Sequence, residues 1–258
     1  MAGFLFNDLI FGPVYSRRLG RSLGINLLPI NAKWCNFDCV YCECGWSAHY
    51  NDSDVFPDSK QIVEMLENVL TDEIRKHERI DAITFAGNGE PTLHPDFAWI
   101  VENVVALRNR LMPDAQVAVL TNATMLHKKN INDALQRADK AILKLDTAIQ
   151  RSYNLINQPF DAVSVEAVIE NIKLFPGDIY IQTMFFTGEN KGVAIDNTSE
   201  EELKMYFAAL KYIQPKQVMI YSIDRATPGS GLQKVAVGKL EEISQKIQSL
   251  GFEVLLTP

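Results

Sequence analysis

The sequence predicts an α/β chain folded as a partial (βα)6 TIM-like barrel. Two observations carry that prediction. Short apolar runs of strand length alternate with stretches whose apolar residues recur at helical spacing, and six such units follow one another. Polar residues also recur just past each apolar run, at the strand ends where barrels gather their chemistry. Alternation of this kind implies a parallel sheet with right-handed crossovers, and six units are too few for a closed eightfold barrel. The 258 residues read as a single domain spanning 1–258, with a short N-terminal extension over 1–22 and a terminal helix and strand over 237–257. No linker-like composition shift, low-complexity tract or internal repeat divides it.

The predicted strands are residues 25–29, 82–86, 117–121, 141–145, 180–185 and 217–222. Between them, Ile62, Leu66, Val69 and Leu70 mark one face of a first helix. Phe97, Val101, Val104 and Val105 mark a second, with Pro95 suited to its first turn. Val165, Val168, Ile169 and Ile172 define another that stops at Pro176-Gly177. Ser199 and Glu202 have the spacing of a capping box opening a helix with Leu203, Tyr206, Phe207 and Leu210. Leu240, Ile243, Ile247 and Leu250 form the last helix, stopped by Gly251, and the run 252–256 is a candidate extra strand.

Lys plus Arg total 25 against 32 for Asp plus Glu, a net charge of −7. That balance argues against a large nucleic-acid footprint while leaving room for a local basic patch, and Arg17, Arg18 and Arg21 make one. The string SRRLGRSL has a twin-arginine look, but GINLLPINAKWC breaks the apolar segment that an export signal needs. No run of about 18 apolar residues is present, so a membrane span is not expected and the chain reads as cytoplasmic.

The chemistry concentrates in WCNFDCVYC, where Cys35, Cys39 and Cys42 stand at C-x3-C-x2-C spacing. Thiolates are soft ligands for iron, zinc and copper(I). A [4Fe–4S] cube normally takes four thiolates, so three leave one iron open for a substrate or cosubstrate. Cys44 makes a fourth cysteine within ten residues. A structural zinc site would need a second, separated ligand pair, and the chain has only these four cysteines. The C-x-C step from Cys42 to Cys44 suits a local thiol better than a ligand to a different iron. A second polar motif, Gly87-Asn88-Gly89-Glu90-Pro91, follows the second strand. Its glycines allow close backbone approach and positive φ, although Asn-Gly is also an ordinary turn signal. Asn122, Lys144 and Asp146, Gln182, and Tyr221 with Asp224 and Arg225 sit at the remaining strand ends. His94, before Pro95, reads as a helix-start residue.

The cysteine spacing, with Tyr41 before the last cysteine, resembles the hallmark of the radical S-adenosylmethionine (radical SAM) enzymes. Gly87 to Pro91 resembles their Gly-Gly-Glu-Pro turn, with Asn88 in place of the second glycine. Phe11-Gly12-Pro13-Val14, Ser16-Arg17-Arg18-Leu19-Gly20, Ser22-Leu23-Gly24-Ile25-Asn26, Leu145-Asp146, Asn157-Gln158-Pro159 and Ile223-Asp224-Arg225 are similar to a small single-cluster group related to the wyosine-base tRNA-modifying radical SAM proteins. Two departures concern the substrate: Gln158 stands where relatives often have arginine, and Lys144 where some have serine.

The resemblance implies one [4Fe–4S] cluster on Cys35, Cys39 and Cys42. It also implies S-adenosylmethionine near Gly87, Gly89 and Glu90, with Asn122, Lys144 and Asp146 as further contacts. The implied reaction is reductive cleavage to a 5′-deoxyadenosyl radical that abstracts hydrogen from a substrate. The electron would come from a flavodoxin- or ferredoxin-type donor, and the substrate would be a nucleotide or tRNA base, a peptide or a small molecule. No catalytic side chain is assigned. The alternatives are a non-catalytic iron–sulfur or SAM-binding protein and a zinc-stabilised interaction module. Substrate is expected to enter beside a polar, lid-like loop over 187–198 and the arginine-bearing stretch 15–21.

Overall fold

The structure, a computed structural model, describes residues 3–47 and 56–257; residues 1–2, 48–55 and 258 of the expected single domain lie outside the described residues. Its strands are β1 (Ile10–Ser16), β2 (Gly20–Ile25), β3 (Ala82–Phe85), β4 (Gln116–Thr121), β5 (Lys140–Lys144), β6 (Ile179–Asn190), β7 (Val193–Asp196), β8 (Gln217–Ser222), β9 (Gly231–Lys234) and β10 (Glu253–Thr257). Along the sheet the order is β1-β2-β3-β4-β5-β6-β8-β10, with β7 and β9 both paired to β6. From β2 to β10 every neighbouring pair is parallel. This is the expected partial barrel, with the extra strand after the last helix present as β10.

Helices α1 (Ser59–Arg75), α2 (Phe97–Leu111), α3 (Lys129–Leu135), α4 (Gln150–Ile156), α5 (Val165–Lys173), α6 (Glu200–Ile213) and α7 (Val237–Ser249) return the chain between strands. The expected apolar faces pack inward: Ile62, Leu66 and Leu70 of α1 are fully buried, as are Leu240, Ile243 and Ile247 of α7. Each such side chain contributes roughly 1.5–3 kcal/mol of burial. Ser199 caps α6 by accepting from the Glu202 N–H. The Glu202 carboxylate does not close a capping box, because it turns to the hydroxyls of Thr147 and Ser152 instead.

The first strand differs from the expectation. The apolar run at 25–29 is not a strand; the barrel strand is Gly20–Ile25, and it follows β1 in an antiparallel hairpin. Hydrophobicity misleads here for a packing reason. A side chain on Gly24 would overlap the Phe11 ring at 2.0 Å, so β2 carries a glycine where a strand pattern wants an apolar residue. Leu27 and Leu28 are buried in the loop that leaves the strand. The stretch expected to be an extension is thus partly built into the sheet.

The 187–198 segment also differs. It is not an open loop: β6 runs on to Asn190, turns at Lys191-Gly192 with φ of 52° and 79°, and returns as β7. Two consecutive positive-φ residues fit the tight hairpin turns that match strand twist. With β9 on its other side, the extension forms a small antiparallel sheet projecting from the barrel.

Inside the barrel, Ala118, Ile142, Tyr180 and Met219 form an apolar cluster with Leu19, Leu120 and Leu255. Leu19 comes from the β1–β2 turn, so the hairpin tip reaches across the open side of the sheet. There Arg17 meets Asp224 at 3.0 Å and the Arg18 guanidinium lies 4.7 Å above the Tyr221 ring.

Candidate active site

The site begins where β2 ends. Asn26, fully buried, turns the chain: its side chain donates to the Leu28 carbonyl at 3.0 Å and accepts from the Leu28 and Asn88 N–H groups. The cysteine loop that follows is fastened by backbone bonds at both ends. Trp34 N–H donates to the Asn88 carbonyl at 2.7 Å, Asp38 N–H to the Gln158 carbonyl at 3.1 Å, and Val40 N–H to the Ile156 carbonyl at 2.9 Å. Gln158 therefore serves the loop through its backbone.

One cavity at the C-terminal strand ends is lined by Cys35, Cys39, Cys42 and Cys44 together with Lys33, Gly87, Gly89, Glu90, Asn122, Lys144 and Gln182. Of the sequence-predicted strand-end residues, Asp146 stands behind Lys144 rather than on the wall, and Tyr221, Asp224 and Arg225 lie outside this cavity, Asp224 paired with Arg17 and Arg225 with Glu43. The Asp146 carboxylate accepts from Tyr41 Oη at 2.5 Å, Asn157 Nδ2 at 2.8 Å and the Met184 N–H at 3.1 Å, and it pairs with Lys144 Nζ at 3.0 Å. Lys144 also lies 4.1 Å over the Tyr41 ring. Burial would lower the Lys144 pKa, but Asp146, chief among the opposing influences, holds it above the ordinary range.

Gly87 and Gly89 adopt φ of +145° and +142°, where other residues are strained. A Cβ on Gly89 would meet the Trp34 carbonyl oxygen at 1.9 Å, and one on Gly87 would meet Asn26 Oδ1 at 2.4 Å. Asn88 replaces a glycine for a reason visible in its contacts. Fully buried, it donates to the carbonyls of Phe6 and Pro29 and accepts from the Phe6 N–H at 2.8 Å, tying the N-terminal segment to the turn. Glu90 is buried as well. Burial pushes its carboxyl up, opposed by hydrogen bonds from Asn122 N–H at 2.7 Å, Thr121 Oγ1 at 2.6 Å and Thr92. Its carboxylate thereby locks the turn to the end of β4. Asn122 turns its amide to Asn36 Oδ1 at 2.7 Å and lies 4.0 Å from the Cys35 sulfur. His94 bridges the Pro57 carbonyl and the Asp96 N–H, as a helix-start residue does.

The thiols differ in electrostatics. Burial pushes Cys35 and Cys39 up, reinforced for Cys35 by Cys39. Cys42 is pulled down to about 6, first by a hydrogen bond from Cys44 and, against burial, by Lys33. Lys33 is the site residue that pattern reading missed. It is buried, donating to Asp38 Oδ1 and the Gly45 carbonyl, both at 3.0 Å. Burial alone would lower its pKa, and the sulfurs, Cys42 foremost, hold it above the ordinary lysine range. Its one sequence signal is position, two residues before Cys35.

The donor set fits an iron–sulfur cube. The Cys35, Cys39 and Cys42 sulfurs share one wall with that of Cys44, and Asn157 Nδ2 lies 3.6 Å from Cys39 Sγ and the Phe37 N–H 3.4 Å from Cys35 Sγ, the hydrogen bonds that thiolates of a cluster use.

A family model described as the radical SAM superfamily matches residues 32–194, from the cysteine loop into β7. The chain belongs to the radical SAM superfamily. It is 33% identical over 236 residues to the UPF0026 protein slr1464 of Synechocystis sp., covering 89% of this chain and 80% of that one. It is also 32% identical over 225 residues to a Brachyspira hyodysenteriae protein named GTPase Obg, covering 84% of this chain but 30% of that one. The present chain has no Gly-Lys-Ser or Gly-Lys-Thr step of a phosphate-binding P-loop.

Solved structures share the fold. SuiB of Streptococcus suis bound to S-adenosylmethionine superposes with a TM-score of 0.63 at 15% identity, over 90% of this chain and 50% of that one. A radical SAM methyltransferase from Sphaerobacter thermophilus gives 0.64 at 12% identity, over 92% and 65%. Archaeal TYW1 gives 0.53 at 10% identity, over 89% and 72%. The chain thus spans about half of SuiB and less than a third of the Brachyspira protein. Among the described residues no helix is long and apolar enough to cross a membrane.

Proposed function

We propose that this chain is a radical SAM enzyme in which Cys35, Cys39 and Cys42 hold one [4Fe–4S] cluster and the Gly87–Glu90 turn receives the methionyl end of S-adenosylmethionine. The observation that supports it most is the shared cavity wall: the Cys35, Cys39 and Cys42 thiols, with that of Cys44, and two positive-φ glycines line one space at the strand ends. The bound groups supply a one-electron reductive cleavage of the sulfonium, and with it hydrogen-atom abstraction.

The chain's own residues have separable tasks. Gly87 and Gly89 hold a positive-φ turn that no Cβ could share with Asn26 and the Trp34 carbonyl, and that turn presents backbone carbonyls to an ammonium. Glu90 fixes the turn. Asn122 and Lys144 present a neutral donor and a cation to the same space, and Asp146 with Tyr41 holds Lys144 in place. Burial around the sulfurs excludes water. The electron donor on this reading is a small flavodoxin- or ferredoxin-type protein.

Anaerobic reconstitution with iron, sulfide and reductant tests the proposal. The expected outcome is roughly four irons per chain, as one cube requires, and reductant-dependent formation of 5′-deoxyadenosine. Cys35→Ala, Cys39→Ala or Cys42→Ala abolishes both, and Cys44→Ala spares the cluster. Retention of a full cluster by any of the first three variants, or stoichiometric zinc in place of iron, overturns the reading.

A further inference from the structure

The three arginines near the N-terminus have different surroundings. Arg17 is ion-paired with Asp224 at the surface. Arg21 pairs with Glu73 at 2.7 Å and Glu78 at 3.4 Å and donates to the Arg79 carbonyl. Among the described residues Arg18 pairs with no acid. Its guanidinium lies over Tyr221, and its Nη1 is buried without a hydrogen-bond partner among the described residues.

Arg18 lines a second cavity, of about 150 Å3, inside the barrel. The walls are largely apolar, with Phe11, Leu19, Ile142 and Met219 among them. Leu120 and Gln182 line both this chamber and the cysteine cavity, so the two adjoin. Among the described residues no acid lines the chamber. Among the described residues the one carboxylate lining the cysteine cavity is Glu90, whose oxygens already accept from Thr92, Thr121 and Asn122. Lys144 is answered by Asp146. A buried guanidinium donor without an acceptor is costly, and natural interiors seldom keep one. An acceptor carried by a ligand resolves it, and a carboxylate matches the guanidinium fork.

We infer that Arg18 is the specificity residue for a small carboxylate-bearing substrate, whose apolar body fills the chamber and whose far end meets the cysteine cavity beside Leu120 and Gln182. The inference rests on the proposed radical SAM function and names the substrate class of that site. The β1–β2 hairpin roofs the chamber, and its apolar lining suits the hydrocarbon body of such an acid.

Ligand-observed NMR on the anaerobically reconstituted protein tests this, with isovalerate as probe and isovaleramide as its neutral control at fixed ionic strength. Expected are binding of the acid at least tenfold tighter than the amide in the wild type and loss of that preference in Arg18→Gln, with part of it kept in Arg18→Lys. Arg18→Met, which removes the unpartnered donor, has a melting temperature at or above that of the wild type. A wild type that binds no isovalerate, or acid and amide alike, overturns the inference. So does an Arg18→Gln protein that binds the acid within twofold of wild type, or an Arg18→Met protein that melts well below it. The readout does not need turnover. Absent isovalerate binding with intact 5′-deoxyadenosine formation removes this inference alone, whereas absent cluster assembly with intact binding removes the functional reading.

Discussion

At the scale of single residues, the fourth cysteine gains a role. Cys44 Sγ donates to the Gly87 carbonyl at 3.4 Å, joining the cysteine loop to the glycine turn, and its single S–H turns to the Cys42 sulfur when that thiol ionises. Its effect on a neighbour was invisible in spacing alone. Because a donated hydrogen bond favours the charged acceptor, Cys42 is held down at about 6 while Cys44 is raised, first by the same bond. In cluster-free protein, Cys42 therefore alkylates with a rate that rises through pH 6, since its thiolate predominates above that value. Cys44→Ala removes the main lowering influence, and the midpoint moves upward toward the ordinary thiol range near 8.5. A mass-resolved pH–rate profile of iodoacetamide labelling checks this, and an unmoved midpoint contradicts the assignment.

At the scale of elements, what the sequence announced was what periodicity and turn chemistry encode. Strands β3, β4, β5, β6 and β8 and the long amphipathic helices follow from apolar spacing, because both faces of a parallel sheet are buried. Two elements escaped that logic. Strand β2 is small and polar on its inner side because Phe11 and the lumen occupy the space, and the β6–β7 hairpin is polar because it stands away from the core. Polarity and length alone made residues 187–198 look like a lid; the positive-φ pair Lys191-Gly192 was the signal for a turn between strands. The hairpin is tied to the site by Asn197, which is buried. Its Nδ2 donates to the carbonyls of Asp146 at 3.0 Å and Met184 at 2.8 Å, and its Oδ1 accepts from Phe186 N–H at 2.9 Å. Asn197→Ala leaves these backbone groups without partners and should cost about 1–3 kcal/mol. Denaturant titration should show a lower midpoint with an unchanged m-value; a variant as stable as the wild type would show that the hairpin is held by its ladder alone.

At the scale of the whole molecule, the N-terminal hairpin has to be held at two places, against β8 on one side of the opening and against α1 on the other. The two attachments differ in strength. Arg17 and Asp224 are each about half exposed (53%), so their pair is screened by solvent and contributes about 0–1 kcal/mol. Arg21 meets Glu73, whose side chain is only 5% exposed and which also accepts from Lys76 at 2.8 Å. Removing Arg21 leaves a buried carboxylate with one cation fewer, a loss of roughly 2 kcal/mol. Arg17→Gln is therefore expected to unfold at the wild-type denaturant concentration, and Arg21→Gln clearly below it. The pH dependence has a definite sign. Lys76, first, and Arg21 lower the folded-state pKa of Glu73, so the stabilisation is fully present above the unfolded carboxylate pKa and is lost as pH falls through the folded one. The gap between wild type and Arg21→Gln should thus be full at pH 7 and close in acid. A gap of equal size at pH 7 and pH 3 would mean that Arg21 acts through packing of its aliphatic stem rather than through its charge.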